Sequence, residues 1–208
     1  MADAVEAPVV ETPAEPREVE ILNEALPGVL LKSKVELGSL YLCVARERIL
    51  DALTLLRDHE ELGYTLWSEC TGVDYSAWGH SRDFEERFEV VYNIYSPGRG
   101  ERILVKVGVD DGQTIPSAIP VFMGAEFPER EINDLFGIVF EGNLPRAGQR
   151  FMLPDDWQGF PLRKEYPLGG EDVNFDRNTR GPAVEDVMMP HAGESFEGKT
   201  GSEDVSGR

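Results

Sequence analysis

An α+β single domain follows from three features of the 208-residue sequence. Two alternating apolar runs flank a Pro-Gly turn, and two helical stretches carry one-sided apolar stripes. The elements also come in the order strand, helix, strand, hairpin, helix, rather than as a regular strand–helix repeat. That order suits a mixed, mostly antiparallel sheet with helices on one face. The length allows one ordinary domain plus tails, and nothing in it repeats.

Residues 1–18 mix Pro, Ala, Glu and Val without periodicity, so they cannot bury enough apolar surface to offset ordering entropy and are expected to be disordered. A short helix is expected over 19–26. Residues 34–44 read as one strand with a bulge or bend at Gly38. Over 46–62, Ile49, Leu53 and Leu56 fall at i, i+4 and i+7, Leu50 widens the stripe, and Arg48, Asp51, Arg57 and Asp58 face out. Gly63 stands where a C-cap glycine belongs. A strand over 64–70 and a polar loop over 76–86 come next. Residues 87–95 then alternate, with Phe88, Val90, Tyr92 and Ile94 on one face. After Ser96-Pro97-Gly98-Arg99-Gly100, Ile103, Val105, Val107 and Val109 again share a face, which predicts an antiparallel hairpin. Pro116 and Pro120 limit 115–123 to a turn or two of helix. A second helix over 125–136 accepts Pro128 in its first turn, buries Ile132, Leu135 and Phe136, and ends at Gly137. The folded domain is therefore expected over 19–140, followed by an extended Pro-rich arm, 141–168, and an acidic flexible tail, 169–208.

Twenty Lys and Arg against 39 Asp and Glu leave a formal charge of −19. Such a surplus of carboxylates argues against binding nucleic acid, which needs clustered cations, and against docking on anionic headgroups. No stretch approaches the roughly 20 apolar residues of a membrane span, and the first residues lack a signal-peptide pattern. A place at a membrane would therefore depend on another protein. Cys43 and Cys70 lie far apart, which suits a reducing setting, and Cys43, beside Tyr41, Leu42 and Val44, reads as a core residue.

Motifs of chemistry are scarce. His59, His80 and His191 share no metal-ligand spacing, and two cysteines cannot supply the four thiolates of an iron–sulfur cluster. Gly98-Arg99-Gly100 lacks the third glycine and the helix of a dinucleotide fingerprint. Neither a phosphate loop nor a nucleophile elbow occurs. No catalytic, cofactor-binding or metal-binding residue is expected in this chain.

Two polar constellations stand out. In 128–134, Glu129, Arg130, Glu131 and Asp134 crowd one helix, with Glu131 and Asp134 three apart and Arg130 able to reach Asp134 at i+4. They read as paired carboxylates for acid–base work, as a solvated face with one ion pair worth about 0.3–0.5 kcal/mol, or as a docking face for a basic partner. In 153–168, three prolines, Trp157, Phe160, Tyr166 and the pair Arg163–Lys164 lie within a stretch that has no helical or strand period. Such aromatics gain nothing in open water, so the segment lies against something, either a partner or its own domain.

Together these stretches resemble the 30-kDa subunit family of proton-pumping NADH–quinone oxidoreductase, respiratory complex I. Residues 129–140, from Glu129-Arg130-Glu131 through Asp134-Leu135-Phe136-Gly137-Ile138 to Phe140, look like one family signature. Residues 153–168, from Leu153-Pro154-Asp155-Asp156-Trp157 through Pro161-Leu162-Arg163-Lys164 to Tyr166-Pro167-Leu168, look like its second. Residues 71–75 and 86–92 match weaker family stretches. The chain departs where the family usually has a His-Pro pair (Asn143-Leu144-Pro145 here), a histidine (Phe160) and an aspartate (Glu165).

The resemblance implies a non-catalytic structural subunit of the peripheral arm, docked on the 49-kDa subunit near the quinone site. FMN, the Fe-S clusters, NADH and quinone then belong to the holo-complex and its other chains, and the protein sits peripherally on the cytoplasmic side of the cell membrane. Glu129, Arg130, Glu131, Asp134, Trp157, Arg163, Lys164 and Tyr166 become the expected partner-docking residues, with Arg163 and Lys164 meeting partner carboxylates. The equivalent subunit of a membrane-bound [NiFe] hydrogenase or F420H2 dehydrogenase is the nearest alternative. A stand-alone hydrolase using Glu129, Glu131 and Asp134, or an acidic adaptor, are the distant ones.

Overall fold

The computed structural model describes residues 15–143 and 150–166. Helix α1 (Arg17–Ala25) leads into strands β1 (Leu30–Glu36) and β2 (Ser39–Val44), and α2 (Ile49–Asp58) follows a single 3-10 turn. Three long strands come next: β3 (Leu66–Asp74), β4 (Phe88–Ser96) and β5 (Glu101–Val109). Short β6 (Thr114–Pro116), helix α3 (Glu126–Phe136) and short β7 (Val139–Glu141) complete the described elements. Five strands form one sheet in the order β1-β2-β5-β4-β3, antiparallel except for the β2–β5 pair, while β6 and β7 pair in parallel. The sheet and the three helices make the α+β fold that the element order predicts.

The β4–β5 hairpin forms in the expected register, with Phe88 opposite Val109 and Ser96 opposite Glu101. Its alternating residues Phe88, Val90, Tyr92, Ile94, Ile103, Val105, Val107 and Val109 are all buried. They join Leu53 and Leu56 of α2 and Ile132 and Phe136 of α3 in one core, so a single apolar face of the sheet is covered by helices.

Three local expectations change. Residues 34–44 are not one bent strand but parts of two, because Leu37 (φ 51°) and Gly38 (φ 76°) both take left-handed conformations. Two such residues make a tight hairpin turn whose twist matches the strands it joins. Helix α2 stops at Asp58, with His59 extended after it, so Gly63 serves the following turn instead of the cap. Helix α1 begins at Arg17, inside the extension expected to be disordered. Buried Glu18 holds it there, accepting a hydrogen bond from Tyr64 Oη at 2.8 Å and pairing with Arg99 at 2.8 Å. The rest of that extension up to residue 14, and the expected tail over 169–208, lie outside the described residues.

The sheet's second face is polar, and the 75–87 loop covers it. Asp83 gathers Lys32 (2.9 Å), Lys34 (2.9 Å) and Lys106 (3.2 Å), and Lys106 also pairs with Glu89 at 2.9 Å. Burial works to raise the Asp83 carboxyl, but the lysines outweigh it and hold it well below the usual carboxylate range. Asp83→Ala should cost about 2–3 kcal/mol, the value of charge-assisted bonds left half-made. Hydrogen exchange should show the loop opening while the helical face stays protected.

Candidate docking surface

Helix α3 carries the first constellation, and its period decides which carboxylate goes where. Glu129 stands three residues before Ile132 and seven before Phe136, so it points at the sheet with them. It is fully buried. Its carboxylate accepts hydrogen bonds from Ser117 Oγ at 2.6 Å, the Ala118 N–H at 2.6 Å and Asn143 Nδ2 at 3.0 Å. Burial pushes the carboxyl up, the three donors pull it back, and the net shift is upward. In this way Glu129 ties α3 to the turn after β6 and to the residues after β7.

Asp134 turns the other way, towards the segment that returns along the helix. A single carboxylate oxygen accepts the N–H groups of Phe151 (2.9 Å), Met152 (2.7 Å) and Leu153 (3.0 Å), and Arg150 lies 3.5 Å from the other. Burial opposes ionisation, but these donors prevail and hold the group below its ordinary value. Arg150 also donates to the backbone carbonyls of Asp134 (3.0 Å), Trp157 (3.1 Å) and Gly159 (3.1 Å).

A second buried carboxylate fastens the far end of the segment. Asp74, at the end of β3, accepts from Arg87 Nε (3.2 Å) and Nη2 (2.8 Å), from the Ser76 N–H (2.9 Å) and from the Lys164 N–H (3.0 Å). Arg87 bridges onward to Glu165. Arg163 donates through both terminal nitrogens to Asp111 (2.9 and 3.0 Å) and through Nε to the Phe136 carbonyl (2.6 Å). Its guanidinium lies over the rings of Phe88 (5.3 Å) and Phe160 (4.6 Å), a geometry that favours a cation.

These contacts revise the expectations for α3 and the segment after it. The helix is not a solvated face with an Arg130–Asp134 pair: Arg130 approaches Glu126 at 3.9 Å and lies over the Phe151 ring, while Asp134 takes Arg150. Glu129, Asp134 and Arg163 direct their charged groups into the chain, because each meets donors or acceptors there that would otherwise be buried unpaired. Glu131 and the side chain of Lys164 are exposed, and Arg130, Trp157 and Tyr166 are half-buried. The indole N–H of Trp157 is buried with no partner among the described residues. An acid–base pair would need carboxylates converging on an open cleft, whereas Glu129 and Asp134 are buried against different donors. Two hollows on the described surface are lined by other residues, around Leu55 and around Tyr95. Among the described residues, no three His, Cys, Asp or Glu side chains are grouped to hold a metal ion.

Gly137 is the pivot between the helix and this segment. It caps α3 at φ 79°, and a Cβ there would lie 2.7 Å from the Phe160 ring and 2.8 Å from Arg163 Nη2. Gly137→Ala should therefore cost about 2–4 kcal/mol, combining left-handed strain with overpacking. The check is a lowered denaturant midpoint at unchanged slope.

Sequence reasoning passed over Asp74, Arg87, Asp111, Ser117, Asn143 and Arg150 as members of this arrangement. For Glu129 a signal existed, its place on the helix's apolar stripe. For Asp134 none did, since its donors arrive 17 to 19 residues later.

Over residues 42–172 the chain matches the family model described as respiratory-chain NADH dehydrogenase, 30 Kd subunit. The chain belongs to that family. Among curated 30-kDa relatives, it is 43% identical over 158 residues to the NADH-quinone oxidoreductase C-subunit of Roseiflexus castenholzii, covering 76% of this chain and 86% of the relative. With the C-subunit of Brucella abortus strain 2308 it shares 34% identity over 177 residues, covering 85% and 84%. A solved structure of Nqo5, the trypsin-resistant fragment 1-134, matches at 32% identity with a TM-score of 0.52, covering 62% of this chain and 99% of that one. A chain of an archaeal respiratory complex, the membrane-bound sulfane sulfur reductase, shares the fold at 20% identity and a TM-score of 0.59, covering 87% and 95%. As a 30-kDa family member, the protein is a subunit of a multisubunit respiratory oxidoreductase that is membrane-associated. None of its described helices is long and apolar enough to cross a membrane.

Proposed function

We propose that this chain is a non-catalytic structural subunit of the peripheral arm of proton-translocating NADH–quinone oxidoreductase. It docks on the 49-kDa subunit near the quinone site and faces the cytoplasm. Electrons pass from NADH through FMN and Fe-S centres held by neighbouring subunits to quinone, and this chain supports that path by holding a partner in position. The observation that carries the reading is the fastening of residues 150–166 along α3 by Asp134 and Asp74. That arrangement makes the two family signatures into one rigid surface, and a preorganised surface docks with less ordering cost. Docking contacts come from the side chains that the fastening leaves outward: Glu131, Lys164 and the half-buried Arg130, Trp157 and Tyr166.

The test is a mild-detergent pull-down of the tagged full chain from native membranes, with mass spectrometry and an NADH-oxidation assay. Recovery of the 49-kDa subunit with flavin, iron and NADH–quinone activity is the expected result. The fold shared with a chain of the sulfane sulfur reductase keeps a second reading in view, a sister complex with another donor or acceptor. A nickel-containing partner, or recovered iron without NADH oxidation, would select that second reading. Recovery of the chain alone would refute both.

A further inference from the structure

The outer side of α3 carries an apolar surface that the domain's own packing does not use. Phe127 is 55% exposed and stacks on Phe151, itself 37% exposed, with ring centroids 5.4 Å apart. Met152 is 57% exposed, and Met123, one turn ahead of Phe127, is 86% exposed. These residues are held in place rather than left loose. Asp134 grips the backbone N–H groups of Phe151 and Met152, and Arg130 lies over the Phe151 ring at 5.1 Å. A contiguous, rigidly supported apolar patch on a small domain marks an interaction site.

Its rim is negative. Glu126 adjoins Phe127, exposed Glu131 stands one turn beyond it, and Asp155 holds the Arg150 N–H at 3.0 Å, next to Phe151. The nearby cations are engaged inside the chain: Arg150 by Asp134 and three carbonyls, Arg130 by the Phe151 ring and Glu126. The whole chain adds a formal charge of −19. Anionic lipid or nucleic acid would meet like charge there, and a second copy of this face would bring two acidic rims together.

We propose that the Met123–Phe127–Phe151–Met152 surface receives a cationic amphipathic segment of a neighbouring subunit of the complex. Its apolar side chains would cover the aromatic pair, and its Lys or Arg side chains would reach Glu126, Glu131 and Asp155. Two exposed methionines suit such a role, because their flexible thioethers adapt to irregular apolar shapes. Asp134 is then a positioning residue for the surface, acting through the backbone that it grips. The inference rests on the subunit reading above and specifies the chemistry of one contact within it.

The decisive experiment places the photo-cross-linking residue p-benzoylphenylalanine at position 127 of the full chain, assembled in its native complex. After irradiation, the captured peptide is identified by mass spectrometry. The expected capture is a segment of a neighbouring subunit in which Lys or Arg alternates with Leu, Ile, Val or Phe. Capture of an acidic or uncharged segment, of a second copy, or of this chain alone overturns the proposal. In parallel, Phe127→Asp should lower recovery of the chain with the complex at least tenfold while leaving its denaturation midpoint near wild type; undiminished recovery counts against the surface. If that variant fails to fold, the cross-link alone decides. Co-purification of the unaltered chain with NADH–quinone activity tests the subunit reading separately. Where that succeeds and the cross-link goes elsewhere, only this surface is wrong; where it fails, both fall together.

Discussion

Asp74→Ala should destabilise the domain by about 3–5 kcal/mol, the usual cost of removing one partner of a buried charge pair. The side chain is fully enclosed, and its carboxylate serves Arg87, Ser76 and Lys164 together. Removal leaves Arg87 with Glu165 and, at 3.7 Å, Asp111, both exposed and partly screened. It also leaves the Lys164 N–H without an acceptor, so the far end of the 150–166 segment should loosen first. Amide exchange should quicken at Lys164 and Tyr166 before the β4–β5 hairpin responds. Acid provides the second readout. Burial acts to raise the Asp74 carboxyl, but its donors hold it well below the ordinary value. A group depressed in the folded state contributes stability that is complete above its unfolded pKa, near 3.9 for Asp, and is lost as pH falls through the folded one. The gap between wild type and variant should therefore be constant from neutral pH to about 5 and shrink on further acidification. A gap that persists unchanged into strong acid would mean that shape, rather than charge, gives Asp74 its role.

Glu129→Ala should cost about as much, about 3–5 kcal/mol, for a different reason. Here no cation balances the buried carboxylate in its hydrogen-bonding shell; three neutral donors do. Truncation strands the Ala118 N–H and the Asn143 amide in the interior, each worth about 1–3 kcal/mol of desolvation, and opens a cavity beneath α3. Glu129→Gln should be milder, because its amide oxygen still accepts from Ala118 and the Ser117 hydroxyl can rotate to accept instead of donate. The pH dependence runs opposite to that of Asp74. Its folded pKa is raised, chiefly by burial, so the native state holds its proton longer than the unfolded chain does. As pH rises from its unfolded value, near 4.3, through the folded one, Glu129 lowers stability. In Glu129→Gln this decline should vanish while the acid limb owed to Asp74 and Asp134 remains. Denaturant midpoints collected across that range separate the two effects; an unchanged decline in Glu129→Gln would assign it to another group.

Burial of Glu129 was legible in principle, since the period that buries Ile132 and Phe136 also carries it inward. The sequence treats it as one of several charges only if composition is read ahead of phase. Arg163 shows the opposite case. Its bidentate contact with Asp111 joins positions 52 residues apart, and its stacking on Phe88 joins a strand to a Pro-rich segment with no period. No local pattern encodes such a meeting.

By itself, the sequence determined the elements whose signals are local. Alternation set the β4–β5 hairpin, apolar stripes set α2 and α3, and Gly137 marked where α3 must end, because steric rules act within a few residues. The two signatures over 129–140 and 153–168 carried the family in the same direct way. Only the tertiary structure decided that Leu37 and Gly38 split one apparent strand into two, and that β2 lies in parallel beside β5. It alone decided that Asp134 and Asp74 are anchors for the backbone of a distant segment, turned inward instead of towards a partner. The reason is physical: a carboxylate's role depends on which donors reach it, and here the donors arrive from 17 to 90 residues away, beyond the range of any helical or strand period.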